Sequence, residues 1–205
     1  MNKTNDKVLV AYFSAEGHTA KIAKDLAQVT GADLFEIQPA EPYTAADINW
    51  KNPMARCNRE QFAKKEVVLA GTVGNFGEYK VVFLGFPVWY FAAPKIIEAF
   101  VKAHDWTGKR VMLFATSGGS DIAKAAEKLK PLLNGKGEID AAKRFFIRTE
   151  PEALAEWAGP LIMPWKAKSQ EREPGRPDMM DVVEEYRDQF NRIRTMDEDF
   201  TAKKP

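Results

Sequence analysis

Residues 8–19 read Val-Leu-Val-Ala-Tyr-Phe-Ser-Ala-Glu-Gly-His-Thr. Val8 to Phe13 is an apolar run of β-formers, too short for a buried helix and suited to a central strand. Ser14, Ala15, Glu16 and Gly17 interrupt it, and beyond His18 the apolar residues Ile22, Ala23 and Leu26 recur at helical spacing. The segment therefore predicts a strand, a small-residue loop and a helix. The first backbone N–H groups of such a helix lack internal partners, and its dipole favours an anion there. Ser14 and Thr19 add hydroxyl donors, while Gly17 permits a tight turn and close backbone approach. The stretch reads as a phosphate-binding loop, with a plain turn and helix cap as the simpler alternative.

Two kinds of phosphate loop are excluded. A nucleoside-triphosphate loop needs Gly-x-x-x-x-Gly-Lys-Ser/Thr, and no lysine stands at the start of this helix. A dinucleotide fingerprint needs three spaced glycines, and the loop offers only Gly17. What remains is Ser14-x-x-Gly17-x-Thr19.

Outward from the loop, the first helix runs to about Val29 and ends at Gly31, and Leu34 to Ile37 is a second short strand. Residues 39–66 are proline-containing and weakly periodic, and so long a stretch inside a compact domain is usually functional or a lid. Val81 to Gly85 is the third strand. It leads into Phe86-Pro87-Val88-Trp89-Tyr90-Phe91, an aromatic group that should not lie exposed without a partner. Pro94 introduces a helix from Lys95 to Ala103. Arg110 to Ala115 is the fourth strand, and Thr116-Ser117-Gly118-Gly119-Ser120 opens a helix from Ile122 to Leu133. Lys143 to Arg148 is read as the fifth strand, with a helix from about Ala153 to Ala158 after it. Strands alternating with helices predict an α/β fold with a parallel sheet and right-handed crossovers.

Three loops in this order resemble the flavodoxin-like family. Ser14-x-x-Gly17-x-Thr19 matches its phosphate loop, Gly85-x-Pro87-x-Trp89-Tyr90 its flavin-ring loop, and Thr116-Ser117-Gly118-Gly119-Ser120 its third flavin-contacting loop. Tyr43, Asp47-Ile48-Asn49-Trp50, Arg56 and Glu60 are similar to a bacterial branch with an insert before the third strand. The resemblance covers roughly residues 5–158. It implies a flavodoxin-like three-layer fold with a five-stranded parallel sheet in the order 2-1-3-4-5, and FMN as cofactor. It also implies cofactor contacts from Ser14, Glu16, Gly17, His18, Thr19, Pro87, Val88, Trp89, Tyr90, Thr116, Ser117, Gly118 and Gly119. No catalytic side chain is expected, because the flavin carries the chemistry.

Some residues admit two readings. Glu16, repelled by a phosphate, points either to solvent or to a cation such as Lys95; His18 either donates to the phosphate or is an exposed first-turn residue. Within residues 39–66, Tyr43 and Trp50 serve as packing anchors of a surface loop, or Arg56 faces the flavin or a bound anion.

The chain has 205 residues, 45% hydrophobic and 29% charged, as expected of one α/β domain with an extension. Cys57 is the sole cysteine, and His18 and His104 are the only histidines, so neither a disulfide nor a metal site is expected. Residues 1–6 carry no apolar signal region and no apolar run reaches membrane length, which predicts a cytoplasmic protein. Residues 1–149 carry a net +5 and residues 150–205 a net −4, and neither value demands nucleic acid. Residues 159–205 are expected to form an extension with one amphipathic helix, about 178–195. Its stripe Val182, Tyr186, Phe190 and Ile193 would pack on its own domain or exchange across a homodimer. Two functions follow: an electron carrier serving a redox partner protein, or an NAD(P)H:quinone-type reductase acting on a small acceptor, with neither nucleic acid nor membrane as partner.

Overall fold

The computed structural model describes residues 7–63 and 66–162. The elements in chain order are β1 (Lys7–Tyr12), α1 (His18–Thr30), β2 (Asp33–Glu36), α2 (Arg56–Ala63), β3 (Tyr79–Pro87), α3 (Lys95–Ala103), β4 (Lys109–Thr116), α4 (Ala123–Leu129), β5 (Gly137–Phe145) and α5 (Pro151–Ile162). All strand pairs are parallel, in the order β2-β1-β3-β4-β5. This is the predicted order.

The sheet is buried on both faces because the middles of its central strands, Leu9–Tyr12, Val81–Phe86 and Val111–Ala115, are runs of buried residues, and strand alternation divides their side chains between two cores. Leu9, Ala11, Val82, Leu84 and Phe86 meet Ile96, Ile97 and Phe100 of α3 and Ala125 and Leu129 of α4. Val10, Tyr12, Val81, Phe83, Met112 and Phe114 meet Ile22, Ala23 and Leu26 of α1 and Leu154 and Ala158 of α5. The result is three layers, with α1 and α5 on one face and α3 and α4 on the other.

The structure corrects three sequence expectations. The fifth strand is Gly137–Phe145 rather than Lys143–Arg148. Phe146 and Ile147 lie past its end and are exposed, while the strand is an edge strand whose solvent side carries Glu138, Asp140 and Lys143. The helix from Ile122 is shorter, ending at Leu129 and tightening into a 3₁₀ turn over Lys130–Leu133 around Pro131. The last helix continues through Pro160 to Ile162, past the boundary expected at 158. The amphipathic helix expected at 178–195 lies outside the described residues. No helix among the described residues is long and apolar enough to cross a membrane.

His104, at the end of α3, ties the sheet's flank together. Its Nε2 accepts the Val73 N–H at 3.1 Å, so the ring proton sits on Nδ1 and is donated to the Phe100 carbonyl at 2.8 Å. The ring packs between Phe76 and Phe100, with centroids 4.4 and 4.2 Å away. Burial holds the imidazole below its usual 6.5, since protonation would turn an acceptor into a donor facing another donor. A depressed folded-state value means the stabilisation is present above pH 6.5 and lost as pH falls through the folded value. As pH falls below 6.5, melting temperature should therefore drop more steeply in the natural protein than in a His104→Gln variant. Parallel pH profiles would refute it.

Candidate functional site

In a parallel sheet every strand ends at the same edge, so the loops after β1, β3 and β4 converge. From β1 the chain turns to α1 on one face; from neighbouring β3 it turns to α3 on the other. The two crossovers diverge and leave a crevice between them.

The first loop holds Gly17 at φ +84°, a left-handed conformation that leads into α1, and no atom lies within 4 Å of where a Cβ would stand. The Gly17 carbonyl accepts the Lys21 N–H at 3.0 Å, leaving the earlier N–H groups of the helix start facing outward. Ser14 Oγ is buried and has no hydrogen-bond partner among the described residues. Thr19 is buried, with its hydroxyl 2.8 Å from that of Thr116 at the end of β4. One member of such a pair donates to the other and keeps the second proton free for a third group. Glu16 and His18 are both exposed, and Lys95 pairs with Glu98 at 2.7 Å instead of reaching Glu16.

The second loop begins as Pro87 closes β3, and the Val88 N–H donates to the Thr116 carbonyl at 3.0 Å. Trp89 and Ala92 exchange N–H···O bonds of 2.9 Å around Tyr90 and Phe91, which sit at φ +51° and +58°. That is a tight turn ordinarily given to Asn-Gly, and each bulky residue in the left-handed region costs about 1–2 kcal/mol. Trp89 is wedged edge-on against Phe13 and Tyr43, both centroids 5.8 Å away. In the third loop, Ser117 Oγ accepts the N–H groups of Gly119 at 3.2 Å and Ser120 at 2.8 Å, so Gly118 and Gly119 present bare backbone.

These loops enclose a cleft of about 480 Å³. Glu16, Val88, Trp89, Tyr90, Ser117, Gly118 and Gly119 line it, with Ala15 and Ser120. Of the other residues expected to contact a cofactor, Thr19 and Thr116 tie the first loop to the third, Pro87 ends β3, Gly17 forms the turn, and Ser14 is half-buried with its Oγ atom fully covered. His18 is exposed on the first turn of α1.

The fourth wall comes from the insert, through Ile48, Trp50 and Cys57. Its two stems pair antiparallel: the Ala40 N–H donates to the Val68 carbonyl and the Ala70 N–H to Gln38, each at 2.8 Å. Within it, Arg56 does not face the cleft. It pairs with buried Glu60 at 2.6 Å, donates to the Glu41 carbonyl at 2.7 Å and lies 4.2 Å over the Tyr43 ring. Tyr43 donates to Glu60 at 2.5 Å, and burial with this carboxylate neighbour pushes its hydroxyl well above the usual range. Tyr43 is thus the packing anchor expected, whereas Trp50 is 65% exposed at the cleft rim. Burial also pushes the Cys57 thiol up, which keeps it protonated and poorly nucleophilic. Sequence reasoning missed Ile48 and Cys57 as wall residues; the only local signal for α2 was the Arg56–Glu60 spacing of four.

The flavodoxin family model matches residues 7–159. The chain belongs to the flavodoxin family. A proposed flavoprotein from Bacteroides eggerthii is 39% identical over 78% of this chain and 100% of its own, with a TM-score of 0.71. Another, from Bacteroides uniformis, is 36% identical over 76% of this chain and 99% of its own, with a TM-score of 0.70. A Lactobacillus acidophilus flavoprotein solved in complex with FMN shares the fold at 19% identity, over 68% of this chain and 93% of its own, with a TM-score of 0.54. No curated protein matches the sequence. The flavodoxin fold accounts for the converging loops, while the insert wall is particular to chains that carry it.

Proposed function

We propose that this flavodoxin binds FMN, with the phosphate on residues 14–19 and the ring between the 87–90 and 117–119 loops, and passes electrons through it. The observation that carries the reading is the Ser14 hydroxyl, buried and unpartnered beside open helix N–H groups. A buried donor without an acceptor is costly in the free protein and is explained by a ligand that supplies one. Gly17, with open space in place of a side chain, allows an anion to approach the backbone. Trp89 and Tyr90 offer aromatic surface to a planar ring, and Gly118 offers its backbone N–H group to the ring's polar edge. When bound, the flavin supplies one- and two-electron chemistry. The chain supplies orientation and a partly apolar wall that limits water around the ring. The FMN complex of the Lactobacillus acidophilus protein, on the same fold, supports the choice of cofactor.

The partner is either a redox protein or a small acceptor, and the setting we propose is the cytoplasm. One feature favours the second reading, that of a reductase using a nicotinamide donor and a small acceptor: the insert narrows the cleft with Ile48 and Trp50. Titrating the purified protein with FMN and with riboflavin tests the cofactor. Tight FMN binding with much weaker riboflavin binding is expected; absence of binding by both overturns it. Stepwise anaerobic reduction then separates the functions. Two resolved one-electron stages mark a carrier, whereas a single two-electron step with rapid bleaching by a nicotinamide donor marks a reductase.

A further inference from the structure

Asn58 is a buried amide on α2, 6% exposed, with both its N–H protons and its oxygen engaged. Its two Nδ2 protons go to the carbonyls of Trp50 at 3.0 Å and Asn52 at 2.7 Å. Its Oδ1 accepts the Tyr90 hydroxyl, which also approaches the Trp50 carbonyl at 3.2 Å. Those two carbonyls fix which way the amide faces, because a flipped amide would turn oxygen against oxygen. The acceptor offered to Tyr90 is therefore held rigidly.

Tyr90 needs such a hold. It stands at φ +51° beside Phe91 at φ +58°, and a turn of two bulky left-handed residues persists only where its surroundings over-determine it. The backbone pair between Trp89 and Ala92 closes the turn but leaves the Tyr90 ring free to rotate. Phe62 of α2 packs against that ring at 4.9 Å between centroids, and Tyr90 lines the cleft. Both side-chain restraints on Tyr90 thus come from one helix of the insert.

We propose that Asn58 is a positioning residue for the flavin ring: through the Tyr90 hydroxyl it sets the outer wall of the ring site. This rests on the reading of the cleft as an FMN site. It assigns the insert a role that covering the cleft alone does not require, namely fixing the aromatic loop before the cofactor arrives. The coupling acts on the ring and leaves the phosphate loop untouched.

Riboflavin and FMN affinities and the midpoint potential of the loaded protein test it. Asn58→Ala should weaken both ligands by the same factor, about threefold to tenfold for one lost hydrogen bond, and shift the potential. Tyr90→Phe should do the same, and adding Asn58→Ala to it should have no further effect on either ligand, since one bond is removed once. Tyr90→Phe leaves both carbonyl contacts of Asn58 in place and carries the test if Asn58→Ala does not fold. A variant of unchanged ligand affinities and potential, or two substitutions whose effects simply add, would overturn the proposal. Failure of the unsubstituted protein to bind either ligand would instead remove the FMN reading and the proposal with it.

Discussion

Replacing Ser14 with alanine is expected to weaken FMN binding by roughly ten- to hundredfold while leaving the ligand-free protein as stable as before or more so. The two effects have opposite signs for one reason. In the free protein the Ser14 hydroxyl is buried without a partner among the described residues, so its removal relieves an unmet hydrogen bond, worth about 1 kcal/mol. In the complex the same hydroxyl would donate to a phosphate dianion, and a hydrogen bond to a charged group contributes about 1.5–3 kcal/mol. That range, at 1.4 kcal/mol per tenfold, gives the affinity loss. Riboflavin, which has no phosphate, should bind the variant and the natural protein equally. Thermal denaturation of the free protein and titration with both flavins measure all three quantities. A destabilised free protein would mean that Ser14 is a structural hydroxyl, and an equal loss for riboflavin would take the phosphate away from this loop.

How much of this was legible in the sequence depends on how far apart the cooperating residues lie. The turn at 14–17 was readable because strand, loop and helix are contiguous: Leu9–Phe13 is buried on both sheet faces, and the change to helical spacing falls within the same dozen residues. The central strands were readable for the same reason. The edge strand was not. In Gly137–Phe145 half-buried and exposed positions alternate weakly among charged residues and only Phe145 is buried, so the denser apolar cluster at Phe145–Ile147 suggests a strand past the true strand end. The fourth wall was hidden by distance. Tyr90 and Asn58 are 32 residues apart, and nothing around either residue specifies the other. Arg56 misled because a guanidinium near a cofactor loop suggests an anion ligand, whereas the fold had already committed it to Glu60, Glu41 and Tyr43.

Gly85 shows the same limit within a motif. In sequence it opens Gly-x-Pro-x-Trp and reads as part of the flavin-ring loop, yet in the structure it lies inside β3, paired in register with Phe114 of β4. A Cβ on Gly85 would stand 2.1 Å from Phe114 Cζ and 2.4 and 2.6 Å from Cε2 and Cε1. The ring fills the space a side chain would need, and Phe114 is fully buried among residues with nowhere to retreat. Gly85→Ala should therefore destabilise the protein even without flavin, by about 3 kcal/mol, the upper part of the usual cost of overpacking a core. For a chain of this size that corresponds to a melting temperature lower by roughly 6–12 °C. Phe114→Leu trims the colliding ring, so the double variant should be more stable than the summed single effects by at least about 1 kcal/mol. Chemical denaturation of the four proteins in the cycle measures this coupling. If Gly85→Ala instead leaves the free protein's stability unchanged and lowers only FMN affinity, the glycine serves the cofactor loop and not the Phe114 ring beneath it.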